Sequence, residues 1–410
     1  MTPSNASAPA TQGAQFRQLS VLIGLNFVDM MGFAMVLPLL PFYALKLHAT
    51  PETVGRMIAS FSIAQLIAAP IWGRVSDRYG RRPALLIGLL ASALAFLVFG
   101  LATSIWLLFL SRIVQGAGGG TTGVAQAYVS DTVEKKDRAR ALGWLSAATN
   151  AGVSIGPAIG SLATHLSRAA PGFFAAGLCF INVIAAWRWL PESRIGVKDA
   201  STVKRKPVWH AAYRVLGHPG GRAERLIWIY GVGMLAFSLL TTILALWLGR
   251  RFAVDEKSIG YYFVYYGLLS FFMRSIFLGP VVDRIGEVGA LRLGTILLAL
   301  GMLMYPIVPN VWMMIIVIPF VPIGTALMFP AVTSLLSHAV DPAELGTMMG
   351  VAQTFAGIAR VIAPIVGTMM FQRVGISAPF IFGGCIVLLV SWATFRHIQV
   401  APATPEPAGA

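Results

Sequence analysis

The chain has 410 residues, 57% of them hydrophobic and only 11% charged, with a net charge of +15 and a mean hydropathy of +0.74. Soluble domains carry roughly twice that charged fraction, so a soluble globular chain is excluded. A nucleic-acid-binding protein of this charge would gather its Lys and Arg on one soluble face; here they alternate with long apolar stretches.

Met1 to Gln15 is polar and lacks the basic start and short apolar core of a cleavable signal, so the first apolar stretch is expected to be retained. About twenty apolar residues cross a bilayer core. Twelve such stretches follow, at 19–46, 54–76, 84–103, 105–130, 139–166, 172–191, 225–249, 258–282, 289–307, 311–338, 345–373 and 377–396. The fold class expected is an all-α membrane protein with twelve transmembrane helices in two pseudo-symmetric six-helix halves. Its parts are a cytoplasmic tail (1–18), an N-terminal half (19–191), a cytoplasmic linker (192–224), a C-terminal half (225–396) and a disordered Pro- and Ala-rich tail (397–410). With the amino terminus inside, about twenty of the 31 Lys and Arg fall on the inner side, many of them in the linker, as the positive-inside bias requires. Both termini are then cytoplasmic. The linker around Trp209 to Val215 is compatible with a short interfacial helix. Cys179 and Cys385 fall inside spans and read as packing residues.

Asp29 is the one carboxylate placed well inside a span. Counting helical rise from residue 19 puts it roughly 15 Å deep, near the midplane. Charge at that depth is costly and usually functional, although a neutral acid hydrogen-bonded between helices would serve packing. Arg112 lies about 10 Å below the outer surface by the same count, within reach of Asp29. Burial and a neighbouring guanidinium act in opposite senses on a carboxyl's proton affinity, a balance that a proton gradient can use. Gln115, Gly119, Thr122 and Gln126 follow Arg112 on one helical face, which suits a cavity wall or close helix packing. With Asn26, Asp29, Tyr265, Arg274 and Arg360, Gln115 and Gln126 complete the candidate substrate-cavity set. Arg274 and Arg360 give the second half buried positive charge, favouring neutral or anionic ligands. Tyr261, Tyr262, Tyr265 and Tyr266 mark an interfacial belt or an inward stacking surface.

The charged segment between the second and third stretches, Gly73, Asp77, Arg78, Gly80, Arg81 and Arg82, returns in shortened form as Gly279, Asp283, Arg284 and Gly286. The two aspartates are half the chain apart, as a duplicated bundle requires. Gly143, Pro157 and Gly160 match Gly350, Pro364 and Gly367 at one offset, and Asp137 aligns with Glu344 at helix starts, where a carboxylate is favoured. In the second copy Glu287 and Val288 replace the basic pair. Gly152, Gly156, Pro157 and Gly160 imply a bend or close helix approach in the fifth span.

Together these features resemble the major facilitator superfamily over nearly the whole chain, and within it the drug:proton antiporters of the tetracycline-efflux type. The Gly73–Arg82 segment matches the superfamily's loop between spans two and three, Asp29-Met30-Met31-Gly32 and Pro38-Leu39-Leu40-Pro41 resemble the opening of those exporters, and Arg112 to Gly119 looks like their proton-coupling motif. Gly152 to Gly160 resembles their antiport motif, with Ser161 in place of a final Gly. The resemblance implies Asp29 and Arg112 in proton coupling, the Asp77 segment and its copy as a cytoplasmic gate, and Gly152, Gly156, Pro157 and Gly160 as an antiport-type hinge. It implies a substrate site near the midplane and alternating access by rocking of the halves. The expected function is proton-coupled efflux of drug-like amphipathic molecules from a bacterial cell across its inner membrane. The alternative is uptake or exchange of an organic anion or other small metabolite, with a membrane-embedded enzyme a remote third because the spans hold no His-Asp or Cys-His cluster. No cofactor or metal is expected, the driving force being the proton gradient. The expected partners are a small-molecule substrate, protons and the lipid bilayer, with no nucleic acid, acting on a monomer.

Overall fold

The computed structural model describes residues 12–134, 136–193 and 220–397, together with 213, 215 and 217. Among them the chain is helical with no strand. The helices are α1 (Gln12–Val36), α2 (Leu40–Lys46), α3 (Pro51–Tyr79), α4 (Arg81–Gly100), α5 (Ile105–Gly119), α6 (Thr122–Thr132), α7 (Arg138–Ala163) and α8 (Ala170–Trp189). After the linker come α9 (Arg222–Phe252), α10 (Ile259–Phe272), α11 (Leu278–Met304), the short α12 (Met314–Val317), α13 (Phe320–Ala339), α14 (Pro342–Arg373) and α15 (Ala378–His397). Local chemistry sets several boundaries. Thr50 caps α3 by accepting from the Thr53 amide at 3.3 Å with Pro51 next in line, and Ser104 caps α5 through the Leu107 amide at 3.4 Å.

Among the described residues, eight helical stretches are long and apolar enough to cross a membrane. One of these, Ile259–Ile307, bends at Gly286 and makes two passes, giving nine. The other three of the twelve fall short for visible reasons: α5 and α6 are broken at Gly120 and Thr121, α7 is rich in Gly, Ser, Thr and Asn, and the apolar stretch of α15 covers only Ala378–Trp392. The chain is a multi-pass membrane protein.

Two compact units form, Met1–Thr202 with Ala253–Gly267, and Val203–Phe252 with Leu268–Ala410. In the first, α1 packs on α7 and α8, and α4 on α5 and α8. In the second, α9 packs on α14 and α15, and α11 on α13 and α15, the same pairings one half-chain later. The first unit is centred on Leu22, Leu85, Leu89, Tyr128 and Leu190. The second has an aromatic core in which Trp247, fully buried, meets Phe380 edge-on at 5.4 Å while Tyr305 stacks on Phe380 at 5.2 Å. Residues 253–267 group with the first unit. Gly260 lies against Pro157 and Ser161, and Gly267 against Ser154, so close that a Cβ at either would collide. Ser161 donates to the Glu256 and Lys257 carbonyls, and Lys46 pairs with Glu256.

Three further expectations change. Helix α1 begins at Gln12, seven residues before the expected span. The charged segment is helix almost throughout: α3 runs to Tyr79 and α4 starts at Arg81, so Gly80 alone makes the turn. Its φ of +106° is a conformation that side chains resist, and Gly286 repeats it with φ +71° in the second copy. Cys179 is buried as a packing residue should be, but Cys385 is exposed. The linker from 194, apart from a few positions, and the tails 1–11 and 398–410 lie outside the described residues.

Candidate functional site

Asp29 sits in the middle of α1, with its carboxyl engaged by the Ser92 hydroxyl of α4 and the Cys179 thiol of α8 nearby. Tight packing sets this register. The Cβ positions of Gly152, Gly156 and Gly160 on α7 would fall 2.5, 2.5 and 2.2 Å from the carbonyl oxygens of Phe27, Met31 and Met35. Three glycines at spacing four thus form a groove for three α1 carbonyls at the same spacing. Asn26 locks the fit, donating to Thr149 Oγ1 at 2.6 Å and the Leu145 carbonyl at 3.2 Å, while Asn182 of α8 donates to the Leu25 carbonyl at 2.7 Å. α7 runs unbroken through Pro157, so in this conformation the glycine run is a packing groove.

A cavity of about 30 Å³ opens beside Asp29, lined by Leu22, Leu25, Asn26, Leu85, Leu89, Thr121, Thr122 and Ala125. That volume suits water and is far below the several hundred Å³ of a drug-sized site. Asp29, Asn26, Thr121 and Thr122 are its polar lining, among leucines of α1 and α4. A water-sized space touching a mid-span carboxyl is what proton access requires.

Arg112 and Asp29 do not form an ion pair. Arg112 is 1% exposed, its guanidinium lies 5.5 Å from the Phe99 ring centroid, and its Nε donates to Ser111 Oγ at 3.4 Å. Its two terminal nitrogens make no hydrogen bond to the protein, and neither does the buried Oε1 of Gln115. Gln126, by contrast, is exposed, and its backbone carbonyl accepts from the Ser130 hydroxyl. The stripe below Arg112 is therefore divided. Gln115 is packed away beside Gly116, whose Cβ would meet the Phe61 carbonyl at 2.3 Å, whereas Thr122 faces the cavity.

Around Gly80, Arg81 is the hub. It reaches Asp77 Oδ1 at 2.8 Å, Asp131 Oδ2 at 2.9 Å and Ser76 Oγ at 2.7 Å. Glu192, and not Asp77, faces the N-terminus of α4. The Glu192 carboxylate accepts from the amides of Arg81 and Arg82 at 2.8 and 3.1 Å, where α4 offers its first free N–H groups. Arg82 donates to the Trp187 carbonyl, and Tyr128 to the Pro191 carbonyl at 2.8 Å. Gly73 and Arg78 lie on the last turns of α3, with Arg78 over the Tyr79 ring. Glu192 and Asp131 escaped the sequence reading; the Pro-Glu step closing the sixth span was the available signal for the first.

In the second copy, Gly279, Asp283 and Arg284 occupy the same helical turns before Gly286. The contact there is inverted in charge. Glu287, in the place of Arg81, accepts from the Ser334 hydroxyl and lies 3.5 Å from His338 Nδ1, at the end of the tenth span as Asp131 ends the fourth. Arg274 falls in a π-helical turn, Met273–Phe277, and its Nε donates to Ser270 Oγ. Of the four tyrosines, Tyr261 is 67% exposed, while Tyr262, Tyr265 and Tyr266 are partly buried. Arg360 joins a cluster missed from sequence. Gln353 donates to the Tyr230 hydroxyl at 3.2 Å, Tyr230 meets Phe329 edge-on at 5.3 Å, and Arg360 follows Gln353 two turns on along the same face of α14.

"Multidrug resistance protein 1" of Bacillus subtilis (strain 168) is 28% identical over 390 residues, covering 93% of this chain and 98% of that one. "Tetracycline resistance protein, class B" of Escherichia coli is 25% identical over 365 residues, covering 86% and 88%. The crystal structure of the nucleoside transporter NupG superposes with a TM-score of 0.74 at 15% identity, covering 93% of this chain and all of that one, which speaks for the fold alone. The family model of the Major Facilitator Superfamily matches residues 22–274 and 226–410. With its duplicated turns at Gly80 and Gly286 and its repeated helix pairings, the chain belongs to the Major Facilitator Superfamily.

Proposed function

We propose that the protein exports drug-like amphipathic small molecules in exchange for protons by alternating access, from a bacterial cytoplasm across the inner membrane, with both termini inside. The observation that carries this is a mid-span carboxyl, Asp29, lining a water-sized cavity together with Asn26, Thr121 and Thr122. A carboxylate there is costly when ionised and much less so when protonated. Proton arrival and departure therefore switch the group between two states of very different solvation. Ser92 serves both, as donor to the carboxylate and as acceptor from the acid. Arg112 holds positive charge against Phe99 and supplies free donors one helix away, available to substrate or to a rearranged α1. The contacts of Arg81 and Glu192 close the end of the first unit nearest the Gly80 turn and must yield when that end opens. The names of the multidrug and tetracycline resistance relatives favour efflux over uptake. No cofactor enters this cycle, since proton and substrate gradients supply the free energy.

Reconstituted vesicles with an imposed pH difference test it. Substrate should move against the proton flow, and Asp29→Asn should abolish proton-driven movement while the protein stays folded. Movement of substrate together with protons, or full activity in the variant, would refute antiport through Asp29.

A further inference from the structure

Helix α14 divides into faces. Ile358, Ile362, Ile365 and Met369 are each about two-fifths exposed and, at about 100° per residue, lie within about 60° of one another, the stripe expected to face lipid. Arg360 and Gln353 lie roughly 200° round from Ile358. Arg360 therefore points away from lipid. Along the helix it stands about 27 Å from Pro342 and about 20 Å from Arg373, too deep to reach an interface readily. Its Nε donates weakly to the Ala356 carbonyl at 3.4 Å, it forms no ion pair among the described residues, and it remains partly accessible.

The surroundings explain what such a guanidinium would accept. Gln353 and Tyr230 are bonded to each other, and Phe329 meets Tyr230 at 5.3 Å and Phe237 at 6.3 Å. The charged valence here is cationic and fork-shaped, matched to a carboxylate or similar oxyanion. The wall beside it is aromatic, matched to a flat ring. Acidic residues of this unit lie near helix ends, none within a span beside Arg360. Charge at this depth without a protein partner calls for one from the ligand.

We propose that Arg360, Tyr230, Gln353 and Phe329 form a binding site for the anionic end of an aromatic substrate, the preferred cargo being an aromatic carboxylate or a zwitterion carrying one. This rests on the export reading only for the direction of movement, since binding itself requires no gradient.

The test uses the purified full-length chain in neutral detergent, with coumarin-3-carboxylate and its carboxamide as probes read by quenching of tryptophan fluorescence. Wild-type protein should bind the carboxylate at least about tenfold more tightly than the amide. Arg360→Gln should erase that preference, with unchanged helical circular dichroism and elution as a single species showing that the variant is folded; Arg360→Lys should keep part of it. Added phosphatidylglycerol should not compete. Equal affinities in the wild type, a preference that survives Arg360→Gln, or displacement of the carboxylate by the lipid would each overturn the proposal, the last by assigning the guanidinium to a headgroup. Proton-driven transport of the uncharged amide in vesicles tests export separately. If it is absent while the carboxylate preference holds, export fails and the site stands; if it is present with no preference, the reverse is true.

Discussion

Substituting Gly156 by Ala tests whether the α1–α7 groove sets the position of Asp29. The new Cβ would lie 2.5 Å from the Met31 carbonyl oxygen and 2.7 Å from the Ala34 Cβ, against an ordinary contact of at least 3.4 Å. Both obstacles belong to backbone or to a side chain without freedom, so the helices must part by about 0.9 Å, the shortfall between 2.5 and 3.4 Å. Overpacking of this kind costs about 1–3 kcal/mol, offset by up to about 1 kcal/mol of helix propensity gained over glycine. Gly143 on the same helix has nothing within 4 Å, so Gly143→Ala should gain the propensity alone. The two substitutions are therefore expected to differ in sign. At about 2–4 °C per kcal/mol for a unit of roughly 200 residues, Gly156→Ala should melt several degrees lower in detergent, and Gly143→Ala slightly higher. Because Asp29 lies between Phe27 and Met31, a shift near 1 Å displaces its carboxyl from Ser92, and proton-driven transport should fall by about tenfold or more. Equal melting temperatures for the two variants, or full transport with Gly156→Ala, would refute the groove as the element that positions Asp29.

Two further outcomes are expected. Glu192→Gln removes the charge that caps α4 and should cost about 1–2 kcal/mol locally; hydrogen exchange at the first turn of α4 should accelerate, and unchanged exchange would mean the cap is dispensable. Asp255, in the loop before α10, accepts from the Ser258 amide at 3.0 Å and the Ser258 hydroxyl at 2.6 Å, contacts that hold its carboxyl below the usual carboxylate range. A lowered value in the folded state means that the stabilisation is present above the unfolded-state value and lost as pH falls through the folded one. The melting difference between wild type and Asp255→Asn should therefore be constant near neutrality and shrink below about pH 4; a difference that grows on acidification would contradict the assignment.

The inversion at the second charged segment shows how a scaffold can be kept while its chemistry diverges. Arg81 with Asp131 and Glu287 with His338 join the same pair of span ends, a carboxylate now standing where the first copy has a guanidinium. Loss of the basic pair in the second copy is visible in the sequence, but its replacement by a new partner is not, because His338 lies 51 residues away.

Hydropathy alone was sufficient for the apolar spans, since the bilayer demands about twenty apolar residues per crossing whatever the neighbours are. Duplication was also legible, because Gly80 and Gly286 are the residues that tolerate the left-handed turn each repeat needs. Asp29 stood out by its depth, a property of position along one helix. Partners belong to a different class of information, since they depend on how helices distant in sequence face one another. Only the tertiary structure placed Ser92 against Asp29, put Arg112 on Phe99 instead of on Asp29, gave the cap of α4 to Glu192, and set Tyr230 and Gln353 beside Arg360. It also showed which α1 carbonyls fill the groove left by the α7 glycines, because a missing Cβ reveals its partner only when the atom occupying its place is known.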